Sequence, residues 1–115
     1  MTPYELQLQE SDDGAVIHIV LSGELDLTNA RELELRLDEA APAQARLVVD
    51  LSRVSFIDSA ALHVLFKLAR MRGHDLVIVV EPTAQIARTL AIAGLDRAVA
   101  VVPSLESVTP PANIG

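Results

Sequence analysis

The sequence predicts a single α/β domain, built on a mixed but mainly parallel sheet of about five strands with three to four helices. Short apolar segments typical of strands alternate with segments whose apolar residues recur every three or four positions, as in amphipathic helices. Such alternation favours parallel strands that are joined by right-handed helical crossovers. A length of 115 residues fits one domain, and 50% of the residues are hydrophobic, which is enough for an extensive core.

The first part of the chain predicts an antiparallel hairpin at the start of the sheet. Apolar and polar residues alternate over 4–9, a period of two that is typical of a half-exposed strand. A turn over 11–14 then leads to a more apolar strand over 15–21, which favours pairing between the two strands. Residues 22–26 are expected to form a loop before the first helix.

The first helix is expected to begin at Thr28, a residue type that caps helix N-termini. It should run to about Ala41, because Pro42 marks a helix end. Its other residues are mainly charged, as on the solvated side of an amphipathic helix. The predicted inner face consists of Ala30, Leu33, Leu37 and Ala40.

A buried strand at 47–49 and a short polar loop are expected to precede the second helix. The helix should begin near Asp58 or Ser59 and end at Gly73, since glycine commonly follows the last helical residue. The predicted inner face of this helix consists of Leu62, Leu65, Phe66 and Ala69.

The rest of the chain predicts two strands around a third helix. Residues 76–80 are apolar throughout, which is expected of a central parallel strand covered on both faces. The third helix is opened by 81–83 and ended by Gly94. A last strand is expected at 98–102, and a short helix at 104–108. The predicted inner residues of the third helix are Ile86, Leu90 and Ala93.

Composition and charge exclude several classes of function. The net charge of −7 repels phosphate backbones, so nucleic acid is not an expected partner. Aromatic residues make up only 3% of the chain, which argues against a stacking platform for single strands. Because cysteine is absent, disulfides, thiol catalysis and thiolate metal sites are excluded.

The apolar segments are too short to suggest a membrane protein. None approaches the roughly 20 residues that span a bilayer, and no signal-peptide pattern occurs at the N-terminus. We therefore expect a cytoplasmic protein without membrane insertion. The predicted domain covers 1–108, and residues 109–115 are expected to form a flexible tail.

The pair Asp58 and Ser59 places a carboxylate and a hydroxyl at the expected start of the second helix. Both residue types are frequent N-caps, so helix capping alone would explain them. The functional interpretation is phosphorylation of Ser59, because a helix N-terminus favours negative charge. A phosphate adds about −1.5 to −2 charges, which would change a partner surface sharply. The residues alone leave both interpretations open.

The second helix also carries a polar, basic stripe that consists of Ser59, His63, Lys67 and Arg70. Their spacing keeps them on one side of the helix. Such a stripe is usually the solvated face of an amphipathic helix, and the functional alternative is a docking surface for a protein. Glu24 and Asp26 are either turn residues that complement a helix dipole or polar contacts to the same partner.

Enzymatic and metal sites are not indicated. Ser59 with His63 lacks a third orienting group and an oxyanion loop, which argues against a hydrolase. The three histidines show no metal-ligand spacing, and His18 in an apolar strand is expected to be structural. The five glycines are not clustered, so a phosphate-binding loop is not predicted.

Taken together, these features resemble the STAS domain, the fold of bacterial anti-sigma factor antagonists. The resemblance covers nearly the whole chain, and it rests on the order and spacing of several segments. They are 23–26, 50–59, 73–79, 88–90 and 94–96.

The resemblance implies a regulator that is not an enzyme. In the family, an anti-sigma factor that is a serine kinase phosphorylates a serine or threonine after the loop aspartate, and Ser59 occupies that position. The unphosphorylated antagonist binds the anti-sigma factor and frees the sigma factor, and a PP2C-type phosphatase reverses the phosphorylation. ATP belongs to the kinase, so we expect no cofactor, and we expect a monomer or weak dimer. The expected partner-binding residues are Asp58, Glu24, Asp26, His63, Lys67 and Arg70.

One position departs from the family pattern. Where the family usually has Asp-Ser-Ser-Gly-Leu or Asp-Ser-Thr-Gly-Leu, this chain has Ala60 and Ala61 after Ser59. Ala60 leaves Ser59 as the one acceptor hydroxyl in this turn, and Ala61 replaces a glycine that would let a partner approach closely. An alternative function is therefore a STAS subunit of another complex, such as one bound to the ABC ATPase of a lipid transporter.

Overall fold

A five-stranded mixed sheet in the order β1-β2-β3-β4-β5 organises the chain. The computed structural model describes residues 1–40, 42 and 44–108. Strands β1 and β2 are antiparallel, and each later strand is parallel to its neighbour, so the predicted hairpin and fold class are confirmed. The predicted tail at 109–115 and the predicted helix end at Ala41 lie outside the described residues. The strands are Tyr4–Glu10, Val16–Leu25, Arg46–Ile57, Leu76–Val79 and Ala100–Val102.

Three main helices connect the parallel strands, as the sequence predicts. Gly73 and Gly94 follow the ends of α2 and α3, as expected. A four-residue helix α4 was not predicted, and the short helix expected at 104–108 is a 3-10 turn over Leu105–Ser107. A second 3-10 turn follows α2 directly. The four α-helices are α1 Ala30–Ala40, α2 Ser59–Arg72, α3 Gln85–Ala93 and α4 Leu95–Ala98.

The described helices pack on one face of the sheet. All of their buried residues belong to one large apolar cluster, which also contains alternate residues of β3 and β4. The remaining strand residues Val48, Val77 and Val79 form a smaller cluster on the opposite face, together with Val108. Because residues 76–80 are buried throughout, the prediction of a strand covered on both faces is confirmed.

The predicted inner faces of the helices are only partly correct. In α1 the prediction holds, with Ala40 partly buried. In α2, Leu62 and Phe66 are only partly buried, because the helix turns a neighbouring apolar stripe toward the sheet. That stripe, which the sequence analysis missed, adds Ala61, Val64 and Leu68 to the buried residues. In α3, Ala93 is exposed at the last turn, so its predicted burial is wrong.

Strands β2 and β3 continue farther than predicted, and this extension positions the candidate site. The loops expected at 22–26 and after residue 49 are wrong, because parallel pairing continues to the neighbours Leu25 and Ile57. Two register irregularities in β2 accommodate the polar residues. Gly23 has a φ of 94°, and a Cβ there would lie 2.9 Å from the Pro3 carbonyl oxygen, so only glycine fits. Residues 26–29 are thereby brought beside the start of α2.

Candidate functional site

Ser59 is the first residue of α2 and is exposed at the carboxyl edge of the sheet. Asp58, directly before it, is the N-cap: its backbone is extended, and its Oδ1 accepts a hydrogen bond from the Ala61 N–H at 3.1 Å. Among the described residues, the Ser59 hydroxyl has no hydrogen-bond partner. Capping therefore explains Asp58 but not Ser59, whose hydroxyl is available to a reacting group.

Asp58 also ties the start of α2 to the turn before α1. Its Oδ2 accepts a hydrogen bond from the Leu27 N–H at 2.9 Å, and its own N–H donates to the Leu25 carbonyl at 3.1 Å. Leu27 is held beside the helix start, and the residue is 77% exposed. Leu27 is not among the site residues predicted from the sequence. The signal that could have found it is a lone leucine among the polar residues of a turn.

The turn before α1 is capped by Asp26 and not by Thr28, so that prediction is wrong. The Asp26 Oδ1 accepts hydrogen bonds from the Thr28 N–H at 2.9 Å and from the Thr28 hydroxyl at 2.6 Å. The Asp26 carbonyl accepts from the Ala30 N–H at 2.9 Å, which starts the helix. A carboxylate is a stronger acceptor than a hydroxyl, and Thr28 therefore donates.

The carboxylate of Asp26 accepts hydrogen bonds from other residues of the chain on both of its oxygens. Its Oδ2 accepts a hydrogen bond from the Thr2 hydroxyl at 2.5 Å. This bond is the main reason that the pKa of Asp26 is lowered, and the bonds from Thr28 add to the effect. Asp26 thus organises the turn that presents Leu27, and a direct contact between Asp26 and a partner stays a prediction.

Asp26→Asn should remove a contribution to the free energy of unfolding that depends on pH. Because the folded state lowers this pKa, the contribution is present above the unfolded value of about 3.9 and is lost as the pH falls through the folded value. The gap in urea midpoint between wild type and variant should therefore narrow from pH 7 to pH 3. Asp12→Asn, at an exposed turn residue, is the control, and its gap should stay small throughout. A difference in urea midpoint between wild type and Asp26→Asn that does not change with pH would contradict a lowered pKa of Asp26 in the folded state.

The buried side chain of Asn29 also holds this turn, and it is not among the site residues predicted from the sequence. It is 0% exposed, and its Nδ2 donates to the carbonyls of Glu24 at 2.8 Å and Thr2 at 3.0 Å. Its Oδ1 accepts from the Asp26 N–H at 2.9 Å. Since a buried amide must be satisfied, Asn29 fixes the path of the chain from β2 to α1. The Glu24 side chain stays exposed at the end of β2.

The predicted stripe on α2 is exposed along its whole length. Within it, Lys67 is engaged: its Nζ lies 2.5 Å from the Glu34 Oε1 of α1, and this contact lowers the pKa of Glu34. Arg70 therefore supplies the positive charge that the stripe offers to a partner and His63 adds a polar ring, and the role of both residues in binding stays a prediction.

A shallow groove of about 220 Å³ separates α1 from α2 beside Ser59. Leu27, Ala60 and His63 are among its lining residues, so apolar and polar groups meet there. We call it the α1–α2 groove. It is lined by Leu27, Ala30, Arg31, Glu34, Ala60, His63, Val64 and Lys67.

Comparison with known proteins decides the family. The family model described as "Mlab, STAS domain" matches residues 8–104 of the chain. The chain belongs to the STAS domain family. An anti-sigma factor antagonist from Mycobacterium paratuberculosis is 26% identical, with a TM-score of 0.78 over 90% of this chain and 89% of that one.

Other STAS structures share the fold at lower identity. A protein of Thermotoga maritima, described as a candidate anti-sigma factor antagonist, is 22% identical with a TM-score of 0.72 over 88% of both chains. The unphosphorylated form of the antagonist SpoIIAA is 17% identical, with a TM-score of 0.62 over 89% of this chain and 91% of that one. The phosphorylated form of SpoIIAA from Bacillus gives the same TM-score of 0.62 over 90% of this chain and 96% of that one.

The departure of this STAS domain at Ala60 and Ala61 has a different consequence from the one expected. Ala61 is 0% exposed and its methyl group packs into the large apolar cluster. The added methyl group lies inside the core, so it does not prevent a partner from approaching α2 closely at this position. Ala60 is partly buried and lines the α1–α2 groove.

None of the described helices has the length and apolarity that crossing a membrane requires. No group of three or more histidine, aspartate or glutamate side chains in the described part of the chain is arranged to hold a metal ion.

Proposed function

We propose that this STAS domain is an anti-sigma factor antagonist whose partner surface is switched by phosphorylation of Ser59. The observation that carries the proposal is the exposed Ser59 hydroxyl, which starts the 14-residue helix α2 while Asp58 performs the capping. The likeness to the mycobacterial antagonist supports the same role. On this proposal the protein is not an enzyme and acts in the cytoplasm as a regulator of transcription.

The proposed partner is an anti-sigma factor of the serine-kinase type. Leu27 would enter an apolar site on the kinase, because covering an exposed leucine beside a groove removes apolar area from water. Glu24, His63 and Arg70 would add polar contacts around it. Asp26 and Asp58 would act by holding the turn, and Lys67 by joining α2 to α1.

The proposed reaction takes place on the Ser59 hydroxyl. The kinase transfers the γ-phosphoryl group of ATP to Oγ, the hydroxyl proton is lost and ADP leaves. The new group carries about −1.5 to −2 charges, which the positive end of α2 tolerates within the folded domain. In a complex the same charge would have to be desolvated beside Leu27, so binding is lost. A PP2C-type phosphatase would hydrolyse the ester and restore binding.

The test is phosphorylation of the purified chain by its anti-sigma kinase with ATP, followed by mass mapping. One phosphate on Ser59 is expected, and none on Ser59→Ala. Ser55 is the internal comparison, because it is also an exposed serine near the carboxyl edge of the sheet. Phosphate on Ser55 or Thr28, or on no residue, would contradict the proposal.

A second candidate is a permanent subunit of another complex, such as one with the ABC ATPase of a lipid transporter. The matched family model is described as "Mlab, STAS domain" and not as an antagonist, which favours this candidate. It predicts that Ser59→Asp and the wild type co-purify equally with a co-expressed ABC ATPase. Loss of the kinase complex with Ser59→Asp would decide for the antagonist.

A further inference from the structure

A second cleft of about 480 Å³ opens at the carboxyl ends of β4 and β5, beside α3. It shares no lining residue with the α1–α2 groove. Its volume lies within the range of about 300–1,000 Å³ that is usual for small-molecule sites. The cleft lies at the same end of the sheet at which open α/β proteins bind ligands where their strand order reverses.

The lining of this cleft is mainly apolar. Val80 and Leu90 are almost fully buried and form the deep part, and Val101 is partly buried beside them. Pro82 and Pro103 are exposed and border the opening. Such a surface suits an aliphatic chain, which would remove apolar area from water on binding.

Two charged residues line the same cleft, Arg88 on α3 and Asp96 on α4. Both are exposed, and neither forms a hydrogen bond or ion pair through its side chain in the part of the chain that the structure describes. A guanidinium group that lacks an internal partner beside an apolar surface is suited to a carboxylate, which it can bind through two parallel hydrogen bonds.

We propose that this cleft binds a small amphipathic monocarboxylate. The aliphatic chain lies against Val80, Leu90 and Val101, and the carboxylate pairs with Arg88. Asp96 and the net charge of −7 disfavour a second negative charge on the ligand, which selects a carboxylate over a phosphate dianion. The proposal does not depend on phosphorylation of Ser59.

The first test is a titration of the full chain with decanoate below its micelle concentration, followed by amide chemical shifts and calorimetry. Saturable shifts on α3 and β5 are expected. Arg88→Gln should weaken binding about tenfold, since a charge-assisted pair is lost. Asp96→Asn should tighten binding, because a repulsive charge is removed. Arg97→Gln is the matched control, since Arg97 is exposed but lies outside this cleft, and its affinity should equal that of wild type.

The second test fills the cleft by substitution. Ala91→Trp should abolish decanoate binding, because Ala91 is exposed and lines the cleft. Ala93→Trp adds the same side chain to an exposed residue of α3 outside the lining and should leave binding unchanged. The proposal is overturned if decyltrimethylammonium binds as tightly as decanoate. It is also overturned if the shifts spread over exposed apolar residues elsewhere, such as Leu27 and Ile92, which would indicate adventitious adsorption.

Discussion

Ser59→Asp is expected to weaken binding of the anti-sigma kinase at least tenfold, whereas Ser59→Ala should bind like wild type. The serine is exposed beside Leu27 and the α1–α2 groove, so a charge at this position must be desolvated when a partner covers the groove. Aspartate adds one charge where phosphate adds about −1.5 to −2, so true phosphorylation should weaken binding further. Calorimetric titration of the kinase with each variant measures the effect.

A matched control tests whether the loss of kinase affinity needs the charge at Ser59 or follows from a negative charge added anywhere on the surface. Thr83→Asp places the same charge at an exposed residue just before α3, close to another helix N-terminus. It should leave kinase affinity unchanged. Equal weakening by Thr83→Asp and Ser59→Asp, or equal affinities of Ser59→Asp and Ser59→Ala, would contradict an electrostatic switch at Ser59.

The fold was predictable wherever local pattern decides the structure. The N-terminal hairpin, the buried strand β4 and the helix ends at Gly73 and Gly94 follow from period, apolarity and glycine conformation. The ends of β2 and β3 were not predictable in this way. Their polar residues are typical of loops, and only parallel pairing with the neighbouring strand, together with the close approach at Gly23, keeps them in the sheet.

In the candidate site, too, the residues fixed by local sequence were predictable and those fixed by long-range contacts were not. Ser59 and the capping role of Asp58 follow from residue types at a helix start. The placement of Leu27 does not, because its backbone N–H donates a hydrogen bond to a residue 31 positions later in the chain. Asn29 likewise acts through the Glu24 carbonyl, which the extended end of β2 brings to it. Local propensity contains no information about such contacts, which depend on the register of the sheet.

Asp58→Ala is expected to lower the free energy of unfolding by about 2–5 kcal/mol and to abolish kinase binding. The substitution removes two acceptors at once, the cap of α2 at Ala61 and the bond to the Leu27 N–H. A lost N-cap costs about 0.5–2 kcal/mol, and a hydrogen bond to a charged group contributes about 1.5–3 kcal/mol. Urea unfolding of the two proteins measures the difference.

Asp58→Ser separates the two roles of this residue. A single hydroxyl can still cap α2 at Ala61, but it cannot reach the Leu27 N–H at the same time. We therefore expect stability between wild type and Asp58→Ala, with faster hydrogen exchange at the Leu27 amide and weaker kinase binding. If kinase affinity falls as the rate of hydrogen exchange at the Leu27 amide rises, from wild type through Asp58→Ser to Asp58→Ala, the turn before α1 is part of the interface. If Asp58→Ser speeds hydrogen exchange at the Leu27 amide yet binds the kinase like wild type, then Asp58 only caps α2. In that case Leu27 does not contribute to kinase binding.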